Sequence, residues 1–120
     1  MPKLVDLPSS IECVGTKPKI IREYVGCINS DTEEVSIAKM NSPVGWTEPG
    51  QTPDFNEYTV VLSGELHVET KKETIIVKAG QAIIAYKGEW IRYSTPIHET
   101  EYIAVCVPAF SAETVNRDGE

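Results

Sequence analysis

The sequence predicts an all-β, single-domain protein built as a barrel or sandwich, on three observations. Short runs of alternating or β-branched residues follow one another along the chain. Glycine or polar turn signals separate them about every eight to twelve residues. No helix-period pattern appears between the two ends.

Taken in order, residues 35–40 (VSIAKM) alternate apolar with small or polar residues, as a half-buried strand does. Residues 58–62 (YTVVL) are β-branched and aromatic and stop at Ser63-Gly64. Residues 65–70 alternate cleanly, with Leu66 and Val68 on one side and Glu65, His67 and Glu69 on the other. After the polar turn Lys71-Lys72-Glu73 comes a strand over 74–78, broken by Ala79-Gly80. Residues 82–86 form the next, stopped by Lys87-Gly88, and residues 90–94 and 102–107 supply two more. Residues 8–12 and 111–115 have the composition of capped helical turns, and residues 116–120 are expected to fray. The boundaries are then residues 1–30 for an N-terminal segment with the first strand or strands, 31–110 for the barrel, and 111–120 for a tail. One stretch breaks the rhythm. Residues 41–56 hold three prolines and two glycines, so they cannot be a central strand. Such loops often line binding sites, and Trp46 within this one either walls a pocket or plugs an end of the barrel.

A chain of 120 residues with 41% hydrophobic and 24% charged residues is an ordinary globular domain, neither disordered nor membrane-embedded. No apolar run approaches the roughly 20 residues of a membrane span. The polar start, with only a brief apolar part, is unlike a secretory signal, so a cytoplasmic address is expected. A net charge of -7 excludes the basic face that nucleic-acid binding requires, and no polybasic patch points to a membrane. Cys13, Cys27 and Cys106 are odd in number and scattered, which excludes a disulfide framework. Cys106, in an apolar strand, reads as a small buried hydrophobe.

Residues 50–64 (GQTPDFNEYTVVLSG) and 80–91 (GQAIIAYKGEWI) together resemble the two motifs of the cupin family. Glu57 stands the right distance before Gly64, and Gly80 and Gly88 match the glycines of the second motif. The resemblance covers roughly residues 35–108 and implies a jelly-roll, double-stranded β-helix barrel, commonly homodimeric, with a central pocket. The family's metal is held by histidines and a carboxylate. Here the first two histidine positions are Gln51 and Pro53, and the later one is Ile91. Proline and isoleucine offer no donor, and glutamine is a poor ligand for such metals. Only Glu57 survives, so no tightly held metal or other cofactor is expected, although a divalent ion rebuilt from Glu57 and His67 stays a weak alternative.

Strand alternation puts Glu57, Thr59 and Val61 on one face, and Ile91 and Tyr93 on another. The resemblance turns the Glu57 face into the barrel. Gln51, Glu57, Thr59 and Tyr93 then converge with Trp46 on a ligand cavity, where a desolvated Glu57 works as acid or base and Tyr93 donates a proton or hydrogen bond. Otherwise Glu57 is simply tied to Tyr93 or Arg92 and does no chemistry. Asp54 either joins Glu57 as a second carboxylate for the ligand or caps its own turn. His67 lies on the polar side of its strand, His98 in a polar loop, and Arg92 opposite Tyr93. Three functions fit: a small-molecule binder, a metal-free isomerase, epimerase or lyase for a sugar-like or acidic molecule, and a dimeric interaction module with a packed cavity.

Overall fold

The computed structural model describes residues 1–119. Ten strands form: β1 (Ser9–Ile11), β2 (Ile20–Val25), β3 (Ser36–Ser42), β4 (Trp46–Thr47), β5 (Asn56–Ser63), β6 (Glu65–Glu69), β7 (Thr74–Lys78), β8 (Ala82–Ala85), β9 (Arg92–Thr95) and β10 (Thr100–Val107). They make two antiparallel sheets, ordered β1-β2-β3-β10-β5-β8 and β4-β9-β6-β7. No helix forms among the described residues, so none is long and apolar enough to cross a membrane. The expected turn at residues 8–12 is strand β1 instead, paired to β2.

Between the sheets lies the core, in which Trp46, Val61, Leu66, Val68, Val77, Ile91, Tyr93 and Tyr102 pack together. Leu66 and Val68 face it and His67 faces away, as alternation predicts. Gly64 links β5 to β6 with φ +79, a backbone state that side chains disfavour. A Cβ there would run into the Glu99 carbonyl and Thr100.

The register of the larger sheet positions the site. Its inner face carries cross-strand rows: Ser36, Cys106, Glu57 and Ala85 in one, and Glu23, Ala38, Ala104, Thr59 and Ile83 in the next. Most of these side chains are small. Sheets pack about 10 Å apart, so a floor of serine, threonine and alanine leaves the space above it unfilled.

Both chain ends close over that space. The loop before β2 is fastened by Thr16 N–H to the Thr47 carbonyl (3.0 Å) and by Lys17 Nζ to the Val44 carbonyl (2.9 Å). The tail expected to fray is tied down over residues 114–118, and the last residue of that expectation, Glu120, lies outside the described residues. Asp54 N–H donates to the Thr114 carbonyl (2.8 Å), Thr52 N–H to the Asn116 carbonyl (3.1 Å) and Asp118 N–H to the Gly50 carbonyl (2.8 Å). The Trp90 indole N–H also donates to Asp118 Oδ2 (2.8 Å). Residues 114–118 thus form a strap along the 50–54 loop.

Candidate functional site

Glu57 projects from β5 into this space and is 8% exposed. The Tyr93 hydroxyl, from β9 of the opposite sheet, donates to Glu57 Oε1 at 2.6 Å. The Cys106 thiol, beside Glu57 in register on β10, donates to Oε2 at 3.6 Å. Burial pushes the Glu57 carboxyl up, and the bond from Tyr93, the Lys19 charge and the Cys106 bond pull it partly back. Burial, reinforced by the Glu57 carboxylate, raises Tyr93 well above the ordinary phenol range and drives the Cys106 thiol up as well. Cys106 is therefore a buried thiol and no nucleophile.

The cavity gives about 70 Å³ to the centres of water-sized molecules, against roughly 10–15 Å³ for one water. It holds several waters or an organic molecule of about five to seven heavy atoms. Gln51, Glu57, Thr59 and Tyr93 all line it, as the sequence predicts. Six charged or phenolic groups that sequence reasoning passed over line it too: Glu12 and Lys19 before β2, Glu23 on β2, Glu48 after β4, Tyr102 on β10 and Arg117 on the tail strap. Tyr102 carried a usable signal, since it alternates with Cys106 through Ala104. Lys19, Glu48 and Arg117 lie in irregular chain and carried none.

Lys19 Nζ donates to the Tyr102 hydroxyl (3.2 Å) and stands 4.0 Å above the Trp46 ring centroid. Burial alone would lower its pKa, but Tyr102, Glu48 and Glu57 outweigh that and hold it above the ordinary value. It remains a cation. Burial raises Glu48 to about 7, opposed by Lys19 and reinforced by Glu57. At neutral pH the cavity thus holds a fixed cation beside Glu48, poised between its two states, and Glu57, whose carboxyl burial also raises.

Three expected site residues fall elsewhere. Trp46 is 0% exposed and belongs to the core rather than the cavity lining; it stands behind Lys19. Its β4 backbone pairs with β9, which turns the indole inward. Asp54 is exposed and outside the lining, and its backbone N–H is what ties it to the tail. His67 lies on the outer side of β6, where its Nε2 meets Glu65 Oε1 at 3.0 Å, so it cannot join Glu57.

The donor set does not suit a cupin metal. Gln51 lines the cavity, but Pro53 and Ile91 present no donor atom, and Ile91 packs in the apolar core. Among the described residues no three of His, Cys, Asp and Glu gather where they could hold an ion.

Two small antiparallel sheets closed around a pocket, with Glu57 and the turn glycines at their motif positions, define a cupin. The polyketide cyclase RemF of Streptomyces resistomycificus has the same fold, with TM-score 0.75 over 97% of this chain and 85% of that one at 19% identity. The model of the family described as "Ethanolamine utilisation protein EutQ" matches residues 20–113, and the chain belongs to that family. The crystal structure of ethanolamine utilization protein Q of Salmonella typhimurium aligns with TM-score 0.69 and 23% identity, over 86% of this chain and 97% of that one. A protein of Myxococcus xanthus named endoribonuclease YbeY is 34% identical over 101 residues, which cover 83% of this chain. This chain spans about a third of that relative's length.

Proposed function

We propose that the protein binds a small metabolite in the Glu57 cavity without a tightly held metal. One observation carries this: the Tyr93–Glu57 bond of 2.6 Å faces a cavity of about 70 Å³ rather than packed side chains. An open cavity also argues against the interaction module whose interior is filled. Membership of a family described by ethanolamine utilisation supports a metabolic role. Three unpaired cysteines suit a reducing, cytoplasmic setting. The test is a thermal-shift screen of small acids, polyols and sugars on the native protein and on Ala104→Leu, which fills the cavity floor. At least one compound raises the native Tm by several degrees and does less for Ala104→Leu. No shift from any compound, or equal shifts in both proteins, sinks the reading.

A second reading is favoured by the raised carboxyl of Glu57: acid–base catalysis of isomerisation, epimerisation or elimination on the bound molecule. Its test is solvent-deuterium incorporation into a bound compound, which Glu57→Gln would abolish while leaving binding in place.

We further propose that the protein is a homodimer through the outer face of the larger sheet. Tyr58, Val60, Leu62 and Ile84 are there between 39% and 48% exposed. Tyr58 pairs with Val105 and Ile84, and Val105 with Ile37, which makes one apolar row across four strands. Contiguous patches of this kind mark interaction sites, and a self-complementary face suits a two-fold.

A further inference from the structure

We infer that the ligand of the cavity is a small carboxylate of two or three carbons carrying a hydroxyl or carbonyl, with its carboxylate seated on the Lys19 ammonium. This rests on the pocket reading above and names the chemistry of the ligand.

Lys19 is held in place from several sides. Its backbone N–H donates to Cys13 Sγ at 3.1 Å. Its ammonium lies over the Trp46 ring and 5.7 Å from the Tyr102 ring centroid, so two aromatic faces support the charge from behind. An ammonium has three N–H donors. Within the described residues the Tyr102 hydroxyl is the one hydrogen-bond acceptor that Nζ reaches, and no carboxylate comes within 4.0 Å of it. Lys19 itself lines the cavity, where its remaining capacity is available to a guest. A desolvated cation left in this state is costly unless an anion or water completes its shell.

The remaining walls define the rest of the ligand. Met40, Ala38 and Ala104 form an apolar surface suited to a short carbon skeleton and unsuited to a bare inorganic oxyanion. Gln51, Tyr93 and Glu57 supply donors and acceptors for a hydroxyl or carbonyl. The volume admits about five to seven heavy atoms, the size of glycolate, lactate or pyruvate. The charges agree. Lys19 is a cation facing Glu48, which burial raises to about 7, and Glu57, which burial also raises; the Glu23 carboxylate is already engaged by the Ile28 and Asn29 N–H groups, and Glu12 lies at the outer end of the lining.

The experiment is isothermal titration calorimetry at low ionic strength with lactate, pyruvate, the neutral isostere lactamide, and propane-1,2-diol. The proteins are the native chain, Lys19→Met and Lys19→Arg, each first shown to be folded by circular dichroism. We expect lactate or pyruvate to bind the native protein, and lactamide and the diol to bind at least about tenfold more weakly. Lys19→Met loses about tenfold or more for the acids, and Lys19→Arg recovers part of it. Lactamide binding as well as lactate, or Lys19→Met binding lactate like the native protein, overturns the carboxylate assignment and leaves the pocket reading standing. The same holds if the diol alone binds. If none of the four binds, the assignment fails, and the broader thermal-shift screen then decides the pocket reading separately.

Discussion

Tyr93→Phe removes one oxygen and should cost more stability the higher the pH. The deleted hydroxyl donates to Glu57 Oε1 at 2.6 Å, and both residues are buried. When Glu57 is ionised this is a charge-assisted bond, worth about 1.5–3 kcal/mol net; when it is protonated an ordinary bond of about 1 kcal/mol remains. Burial raises the Glu57 carboxyl above the ordinary carboxylate value, and the Tyr93 bond pulls it down. Without the hydroxyl it rises further. A carboxyl raised in the folded state contributes fully below its unfolded value and loses its contribution as pH climbs through the folded value. The variant should therefore lie about 1 kcal/mol below the native protein near pH 5 and about 2–3 kcal/mol below it near pH 8.5. The larger deficit corresponds to roughly 6–10 °C in Tm for a domain of this size. Urea unfolding at the two pH values, followed by tryptophan fluorescence, measures the difference. An identical deficit at both, or one under about 0.5 kcal/mol, would refute the claim that the pair is buried and charge-assisted.

Further outcomes follow from the same geometry. Glu48, raised to about 7 by burial, makes the native protein lose stability as pH rises from its unfolded value through about 7. Glu48→Gln lacks that loss, so between pH 5 and 8.5 it should gain about 2 kcal/mol on the native protein, after a discount for partial exposure; urea midpoints check it. Ile84→Lys, at the β8 end of the exposed apolar row, should convert a particle of twice 13.3 kDa into one of 13.3 kDa by light scattering, and a native mass of 13.3 kDa would discard the dimer. Gly64→Ala forces a Cβ against the Glu99 carbonyl at φ +79 and should cost about 2–4 kcal/mol. Gly80→Ala, at φ +85 but in open space, should cost only about 1–2 kcal/mol, and equal melting temperatures for the two would contradict the local packing.

The strands were readable because each central one alternates strictly or sits between turn signals; the expected strand over 74–78 coincides with β7. The faces were harder. In β3 the small residues Ser36 and Ala38 are buried while Ile37 faces outward, the reverse of what hydrophobicity alone suggests. Alternation fixes which residues share a face but not which face is inside, and an apolar outer face removes the usual contrast. Glu57, Thr59 and Tyr93 were found because regular strands carry them and their spacing is informative. Lys19 and Arg117 reach the cavity from a loop and a tail, through long-range hydrogen bonds to Thr47, Gly50 and Thr52 that no local pattern encodes. Of the two places open to Trp46, the pocket wall is not the one taken, for a similar reason: a two-residue strand inside a proline-rich loop turns the indole into the core.

The strap formed by residues 114–118 divides labour within the molecule. The barrel strands supply the hydrogen-bonded Glu57–Tyr93 pair and the floor, whereas the basic side chains of the cavity lining, Lys19 and Arg117, arrive on segments laid over the barrel from outside its central motifs. The tail also buries Val115 against Phe55 and Cys106 of β10, so the segment that brings Arg117 to the cavity is fastened to the barrel by packing as well as by hydrogen bonds. Tail and barrel are therefore one packing unit, and a change of charge at residue 117 is made on a segment whose position Val115 already fixes.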